Sequence, residues 1–534
     1  MRFPTLSEAA SPEFSDAASC RAWLEHVPLA NVAAAQAQVS RELGEFNRLP
    51  IGATQRLGVM EALREAVNFV QIEQARRFSN RALPMSDAEG AAFAATIGLW
   101  DEMRAGYERC IEGATNGDAA MRAQAGLLCQ RALFYIGLRM FHHHRAYREV
   151  PGGDWRSLHA AYAAAEKLGV AEDPVKDFLN RDVQDTSPRV AYARAVLMAL
   201  CNPNELTQRQ LTFVAYLLER WASKLEVSPK PVEAEEVPAL VADLESDASP
   251  SRAAAAAPRA PRYLDTRKLG KSLRNRVALL RKGESPAKLA LGEDCVQPAC
   301  EQLLVHLYRH WCVGKASRAL ERRAGSGDAE VCSEVAAIHH YIAGRVFRPP
   351  GEQPELTAKQ RHEIATFGRV SSREDDDYSG QQGFFIEQWR IVDESAQGLR
   401  LVRRAADPGK RMAHGQLIGV RPAGGRQFML GHVRWVMGAE NGDLHAGVKL
   451  LPGIPSPLAA RPAGLNVQPE SWVPALGLTA VPALNAPASL ILGPGWYKPK
   501  RVIELHGEAP SKVRLTEVME RGADFERVAF EQVP

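Results

Sequence analysis

The period of the hydrophobic pattern changes once along this chain, and that change limits what it can fold into. Up to about Gly344, apolar residues mostly recur at steps of three and four, as on one face of a helix. Pro349 and Pro350 break that rhythm. After them, short runs alternate apolar and polar residues and end in turn residues, as strands do. The expected fold is therefore a multidomain α + β protein with its helices first. With 534 residues the chain exceeds what one core serves, so about two to four domains are expected.

The helical reading of residues 1–225 rests on explicit spacings. Leu57, Met60, Leu63, Val67 and Val70 fall on one helical stripe, and Leu127, Leu128, Leu133, Ile136, Met140 and Tyr147 on another. Trp155, Leu158 and Tyr162, followed by alanines, resemble the first helix of a tetratricopeptide-type hairpin, although no phrase repeats at a fixed period. Residues 226–262 are rich in Pro, Ala, Ser and acid and carry no amphipathic period, so a flexible linker is expected there. A second helical region is expected over 263–345. Five strands are expected within 346–455, in "GFFIEQWRIVD", "GLRLVRR", "GQLIGVR", "RQFMLGHVRWVM" and "DLHAGVKLL". Their short connections suggest a small antiparallel barrel or sandwich. Residues 456–534 read as a further β-rich segment.

Hydrophobic residues make up 46% of the chain and charged ones 24%, which is ordinary for a soluble globular protein. A net charge of +3 does not suggest a chain coated by nucleic acid. The N-terminal stretch lacks an apolar secretory core, and no run reaches the roughly 18 apolar residues of a membrane span, so a cytoplasmic protein is expected. The eight cysteines sit mostly in apolar contexts and read as buried thiols rather than a disulfide framework.

One pair of motifs carries binding chemistry. Arg369 and Arg373 stand four apart, and Asp393, Ser395 and Gly398 follow as D-x-S-x-x-G at the end of a strand. Gly431, Val433 and Trp435 then form a Gly-x-Val-x-Trp strand. Together these features, over residues 361–455, resemble the PilZ domain, a receptor domain for the second messenger cyclic di-GMP. The resemblance implies a β-barrel of PilZ type, with the two arginines on a loop that folds over it when ligand arrives. The chemistry is coherent. Guanidinium groups match phosphates and the O6/N7 edge of guanine. The Asp393 carboxylate can accept from guanine N–H groups, Ser395 offers a hydroxyl, and Gly398 lets the turn approach without a Cβ. The acidic run Glu374–Asp377 departs from the usual pattern and could pair with the arginines instead.

Other clusters read more simply. His142, His143 and His144 are consecutive, so helical geometry points them about a hundred degrees apart and away from a shared metal; a surface or partly buried cluster is expected. His306 and His310 are four apart but interleave with Leu303, Leu307 and Trp311, and read as helix caps. The segment 267–282 makes a basic amphipathic helix that could dock on an acidic protein partner, nucleic acid or an anionic lipid surface, or equally be an ordinary helix buried on one face and solvated on the other. No P-loop or G-x-S-x-G is present. The expected function is a non-enzymatic receptor that takes cyclic di-GMP through Arg369, Arg373, Asp393, Ser395 and Gly398, uses no cofactor or metal, and couples binding to a protein partner of its helical region. The alternative is a helical scaffold whose barrel no longer binds nucleotide.

Overall fold

The computed structural model describes residues 4–533 except 232–236, 253–256, 293–294, 315–322, 326, 352–382 and 465–471. The chain divides into two compact units, Met1–Arg81 with Met85–Arg318, and Ala319–Pro534 with Ala82–Pro84.

The first unit is helical. Its helices are α1 (Ala17–Leu24), α2 (Val32–Arg48), α3 (Ala53–Ala75), α4 (Asp87–Thr115), α5 (Ala119–Ala123), α6 (Ala125–Arg145), α7 (Asp154–Lys167), α8 (Pro188–Leu200), α9 (Gln208–Trp221), α10 (Arg267–Arg281) and α11 (Ala299–Tyr308). The expected stripes are the buried ones: Met60, Leu63, Val67 and Val70 on α3, and Leu128, Leu133, Ile136 and Met140 on α6. Side-chain caps mark the starts, as where Ser86 and Glu89 form a capping box on α4. A short hairpin, β1 (Val175–Lys176) and β2 (Asp185–Thr186), interrupts the helices.

Residues 226–262 differ from the linker that their composition suggests. Strands β3 (Glu226–Ser228), β4 (Leu240–Asp243) and β5 (Pro261–Asp265) form a small sheet in the order β3-β5-β4. Leu240, Ala242 and Leu264 from it enter the same core as Leu217, Trp221, Leu273, Leu304 and Trp311. Strands this short leave no alternation to read, and the proline and alanine content hides them. The helices beyond 263 share that core, with Trp311 Nε1 donating to Leu197 O at 2.7 Å.

Two further expectations for this unit are corrected. Cys295 and Cys300 are joined in a disulfide, while the other six cysteines are free. The triple histidine is buried, not superficial. Burial pushes His142 and His143 down to about 3 and His144 to about 4, so all three are neutral at physiological pH. On α10 the apolar stripe Leu269, Leu273, Val277 and Leu280 is buried, and much of the basic face is paired within the unit: Arg267 with Asp265, Lys268 with Glu226 and Arg281 with Glu301.

The second unit holds two antiparallel rings and a helix, α12 (Val335–Ala343). The first ring uses β6 (Arg323–Ala324), β7 (Asp328–Ser333), β8 (Glu387–Ser395), β9 (Gly398–Arg403), β10 (Leu417–Pro422), β11 (Met429–Gly438) and β12 (Leu444–Leu450). The sheet runs β6-β8-β7-β10-β11-β12-β9, and the extra pairing of β8 with β9 closes it. All five expected strands are present. Strand β7 was expected to be helix: Val331, Val335, Ile338 and Ile342 keep helical spacing, yet the chain stays extended to Ser333 and turns into α12 at Glu334, whose φ is +74°.

The second ring is a closed barrel, β13 (Pro455–Pro462), β14 (Val473–Leu478), β15 (Ser489–Leu492), β16 (Val502–His506), β17 (Pro510–Arg521) and β18 (Glu526–Gln532), in the order β13-β14-β15-β18-β17-β16. Ala460, Leu490, Ile503, Leu515 and Val528 fill it. A common core joins the rings, with Cys332, Ile338, Leu417 and Leu430 packed with Leu476, Ile491 and Phe525. Among the described residues no helix is long and apolar enough to cross a membrane.

Candidate functional site

Strands β8 and β9 meet in a two-residue turn, Ala396–Gln397, with Ser395 opposite Gly398. Ser395 Oγ donates to Gly398 O at 3.3 Å. A bulge between Ile391 and Asp393 lies one step further back and increases the local twist. Strand β6 pairs with the same stretch, setting Ala324 opposite Asp393.

Register across the ring lines up side chains on one face. Asp393 is opposite Arg400, Arg400 opposite Gly447, and Gly447 opposite Trp435. The neighbouring row toward the turn is Ser395, Gly398, Lys449 and His432. The row on the other side holds Val402, His445 and Met437. Residues at the alternate positions, Leu399, Leu401, Ala446, Val448 and Val436, are buried inside the ring. The polar rows therefore lie on its outer face.

Gly447 is required there, because a Cβ would overlap the Trp435 indole, which lies on the glycine. The half-buried Arg400 sends Nη2 to His445 Nδ1 at 3.4 Å. Its Nε is buried and donates to nothing among the described residues. Buried donors in folded proteins are nearly always satisfied, by protein or by water; Arg104 Nε and Arg527 Nη2 are buried in the same way without a hydrogen-bond partner among the described residues.

The ends of the ring are anchored differently. At one, Glu387 is buried and accepts from Arg403 Nη1 at 2.6 Å, Trp389 Nε1 at 3.0 Å and Lys410 N at 2.9 Å. At the seam with the second ring, Glu520 of β17 accepts from His432 Nδ1 at 2.7 Å and pairs with Lys449 at 3.3 Å. Burial works to raise the Glu520 carboxyl, but the His432 bond and the Lys449 charge outweigh it and hold it down at about 2.

Of the five residues singled out from the sequence, Asp393, Ser395 and Gly398 come together at one turn of the first ring. Arg369 and Arg373 lie outside the described residues. Arg400, His445, Gly447 and Lys449 were missed as members of the face. A signal for Arg400 was available: a two-residue turn between Ser395 and Gly398 fixes the hairpin register and sets Asp393 against Arg400.

Comparison with known proteins adds the two ends of the chain. Residues 18–232 match the family described as the N-terminal domain of the cyclic-di-GMP receptor FimW, and residues 458–533 match the FimW C-terminal beta-barrel domain. The chain is similar to FimW at both ends. The cyclic-di-GMP receptor FimW of Pseudomonas aeruginosa is 25% identical over 562 aligned positions, which span 95% of this chain and 89% of that protein. The C-terminal FimW match coincides with the second ring. The outer face built around Asp393 and Arg400 lies between the two FimW matches, within the span of the full-length likeness.

Proposed function

We propose that this chain is a non-enzymatic receptor for cyclic di-GMP, with a PilZ-type site on the outer face of the first ring. Arg369 and Arg373, from the segment preceding β8, bind the phosphates and guanine edges. Asp393 accepts from guanine N–H groups, Ser395 bonds through its hydroxyl, and Gly398 keeps the turn close to the ligand. Arg400 joins this set, and Trp435 offers an aromatic wall beside it.

The observation that carries the reading is the meeting of Asp393, Ser395 and Gly398 at one turn with Arg400 directly opposite Asp393, its buried Nε without an acceptor among the described residues. A buried donor without an acceptor costs about 1–3 kcal/mol, and an anionic ligand would satisfy it. Similarity to a cyclic-di-GMP receptor supports the ligand class. Ligand contact with Arg369 and Arg373 is a route by which binding would change how the helical unit meets a protein partner.

Titration calorimetry tests the proposal with cyclic di-GMP, comparing the full chain with its Arg369→Ala/Arg373→Ala variant. Each charge-assisted bond is worth about 1.5–3 kcal/mol, so the variant should bind at least tenfold more weakly. Equal affinities would remove the arginines from the site. An absence of heat with folded, unsubstituted protein would favour the scaffold reading.

A further inference from the structure

The sequence offers His306 and His310 one helical turn apart, and on that evidence alone they read as caps. The fold adds a third group from a distant part of the chain. Glu205 ends a single 3-10 turn, Pro203–Glu205, that follows α8. His306 lies on α11, and His310 on the π-helical turn Arg309–Val313 that continues it. The two imidazoles sit side by side, with ring centroids 4.3 Å apart. One ligand atom from each of Glu205, His306 and His310 lies within 4.8 Å of the other two, and all three residues are half-buried.

We propose that Glu205, His306 and His310 form a binding site for a divalent transition metal of the zinc class. Two imidazole nitrogens and one carboxylate oxygen suit Zn²⁺, Co²⁺ or Ni²⁺ rather than Ca²⁺ or Mg²⁺, which take all-oxygen shells. In a tetrahedral zinc site the donor atoms stand about 3.3 Å apart, so side-chain shifts of at most about 1.5 Å per pair close this one.

The surroundings also suit a metal ligand. His306 Nε2 lies 2.8 Å from the Cys201 carbonyl, to which it can only donate. That bond engages Nε2, leaves Nδ1 as the atom that would ligate, and fixes the ring's orientation, as an outer-shell carbonyl does for a ligating histidine. The π-helical turn is a second sign, since such turns occur disproportionately at functional sites. Three protein ligands leave a fourth position for water.

The site would clip two segments about a hundred residues apart. Glu205 belongs to the FimW-like stretch 18–232, whereas His306 and His310 lie beyond it. Because a bound metal contributes its binding free energy to the folded state, it would hold α11 on the α8–α9 corner.

The test uses the full chain stripped with EDTA and titrated with Co²⁺, followed by its visible absorption, and with Zn²⁺, followed by calorimetry. One equivalent should bind with a tetrahedral or five-coordinate Co²⁺ spectrum, and Zn²⁺ should raise the thermal midpoint. His310→Ala and Glu205→Gln should each weaken binding at least tenfold. Affinities unchanged in both variants, or no metal binding by the unsubstituted chain, overturn the proposal. If a variant fails to fold, X-ray absorption at the zinc edge of the unsubstituted protein decides. A shell with two imidazoles and carboxylate or water oxygen supports the site, and any other shell overturns it.

Discussion

Replacing Arg400 by methionine should separate binding from stability. In the free protein the guanidinium is a poor investment: its Nε is buried without an acceptor among the described residues, and its contact with His445 is long, at 3.4 Å. Methionine keeps the apolar stem against the strands and removes the orphan. Relief of the buried donor is worth about 1–3 kcal/mol, and loss of the His445 bond costs about 0.5–1.5 kcal/mol. The net effect on stability should lie between a loss of about 0.5 and a gain of about 2.5 kcal/mol. Binding should move the other way. One or two charge-assisted bonds to the ligand, at about 1.5–3 kcal/mol each, translate into a Kd at least tenfold weaker. Calorimetric titration with cyclic di-GMP measures the second effect, and scanning calorimetry with urea unfolding measures the first. A variant that is less stable by more than about 1 kcal/mol yet binds as before would refute the reasoning and make Arg400 a structural residue.

Two predictions concern the anchors of the first ring. Glu387→Ala leaves the Arg403 guanidinium buried without its carboxylate and strands the donors of Trp389 and Lys410, so urea unfolding should show a loss of about 3–5 kcal/mol. Adding Arg403→Ala should cost less than the sum of the single changes. Glu520 makes stability depend on acid pH. Its folded-state pKa of about 2 is below the ordinary 4.5, so its contribution is fully present above about pH 4.5 and disappears as pH falls toward 2. The shift corresponds to about 3 kcal/mol. Glu520→Gln should flatten the acid limb of the stability profile over that window, and an unchanged limb would show that the His432–Glu520 bond contributes nothing to it.

The parts of this structure that sequence could reveal are those whose signal is local. The stripe from Met60 to Val70 needs only helical spacing, and the alternation of Leu444, Ala446 and Val448 with His445, Gly447 and Lys449 needs only a pleat. The D-x-S-x-x-G phrase is local too, and Asp393, Ser395 and Gly398 do share one turn. What escaped depends on partners far away in the chain. Strand β7 carries spacings compatible with either helix or strand, and its pairing with β8 and β10 decides for strand. Leu240, Ala242 and Leu264 become core residues only because α9, α10 and α11 supply the other walls. Glu205 is unremarkable until the fold sets it beside His306 and His310.

The two rings of the second unit also meet through an ionic contact. Lys449 sits in the row with Ser395 and Gly398 on the outer face, and its ammonium is already engaged by Glu520 of the second ring. Glu520 holds three basic groups at once, His432, Lys449 and, at 4.0 Å, Arg434. A dianionic guest along that row competes with Glu520 for Lys449, whose side chain is only half exposed. Charge withdrawn from Glu520 raises its pKa and loosens the contact between β17 and β12, whereas an uncharged guest on the same face leaves that contact intact. A dianionic guest on this face would therefore act on the seam through its charge as well as its shape, and a shift in the acid limb assigned to Glu520 would report it.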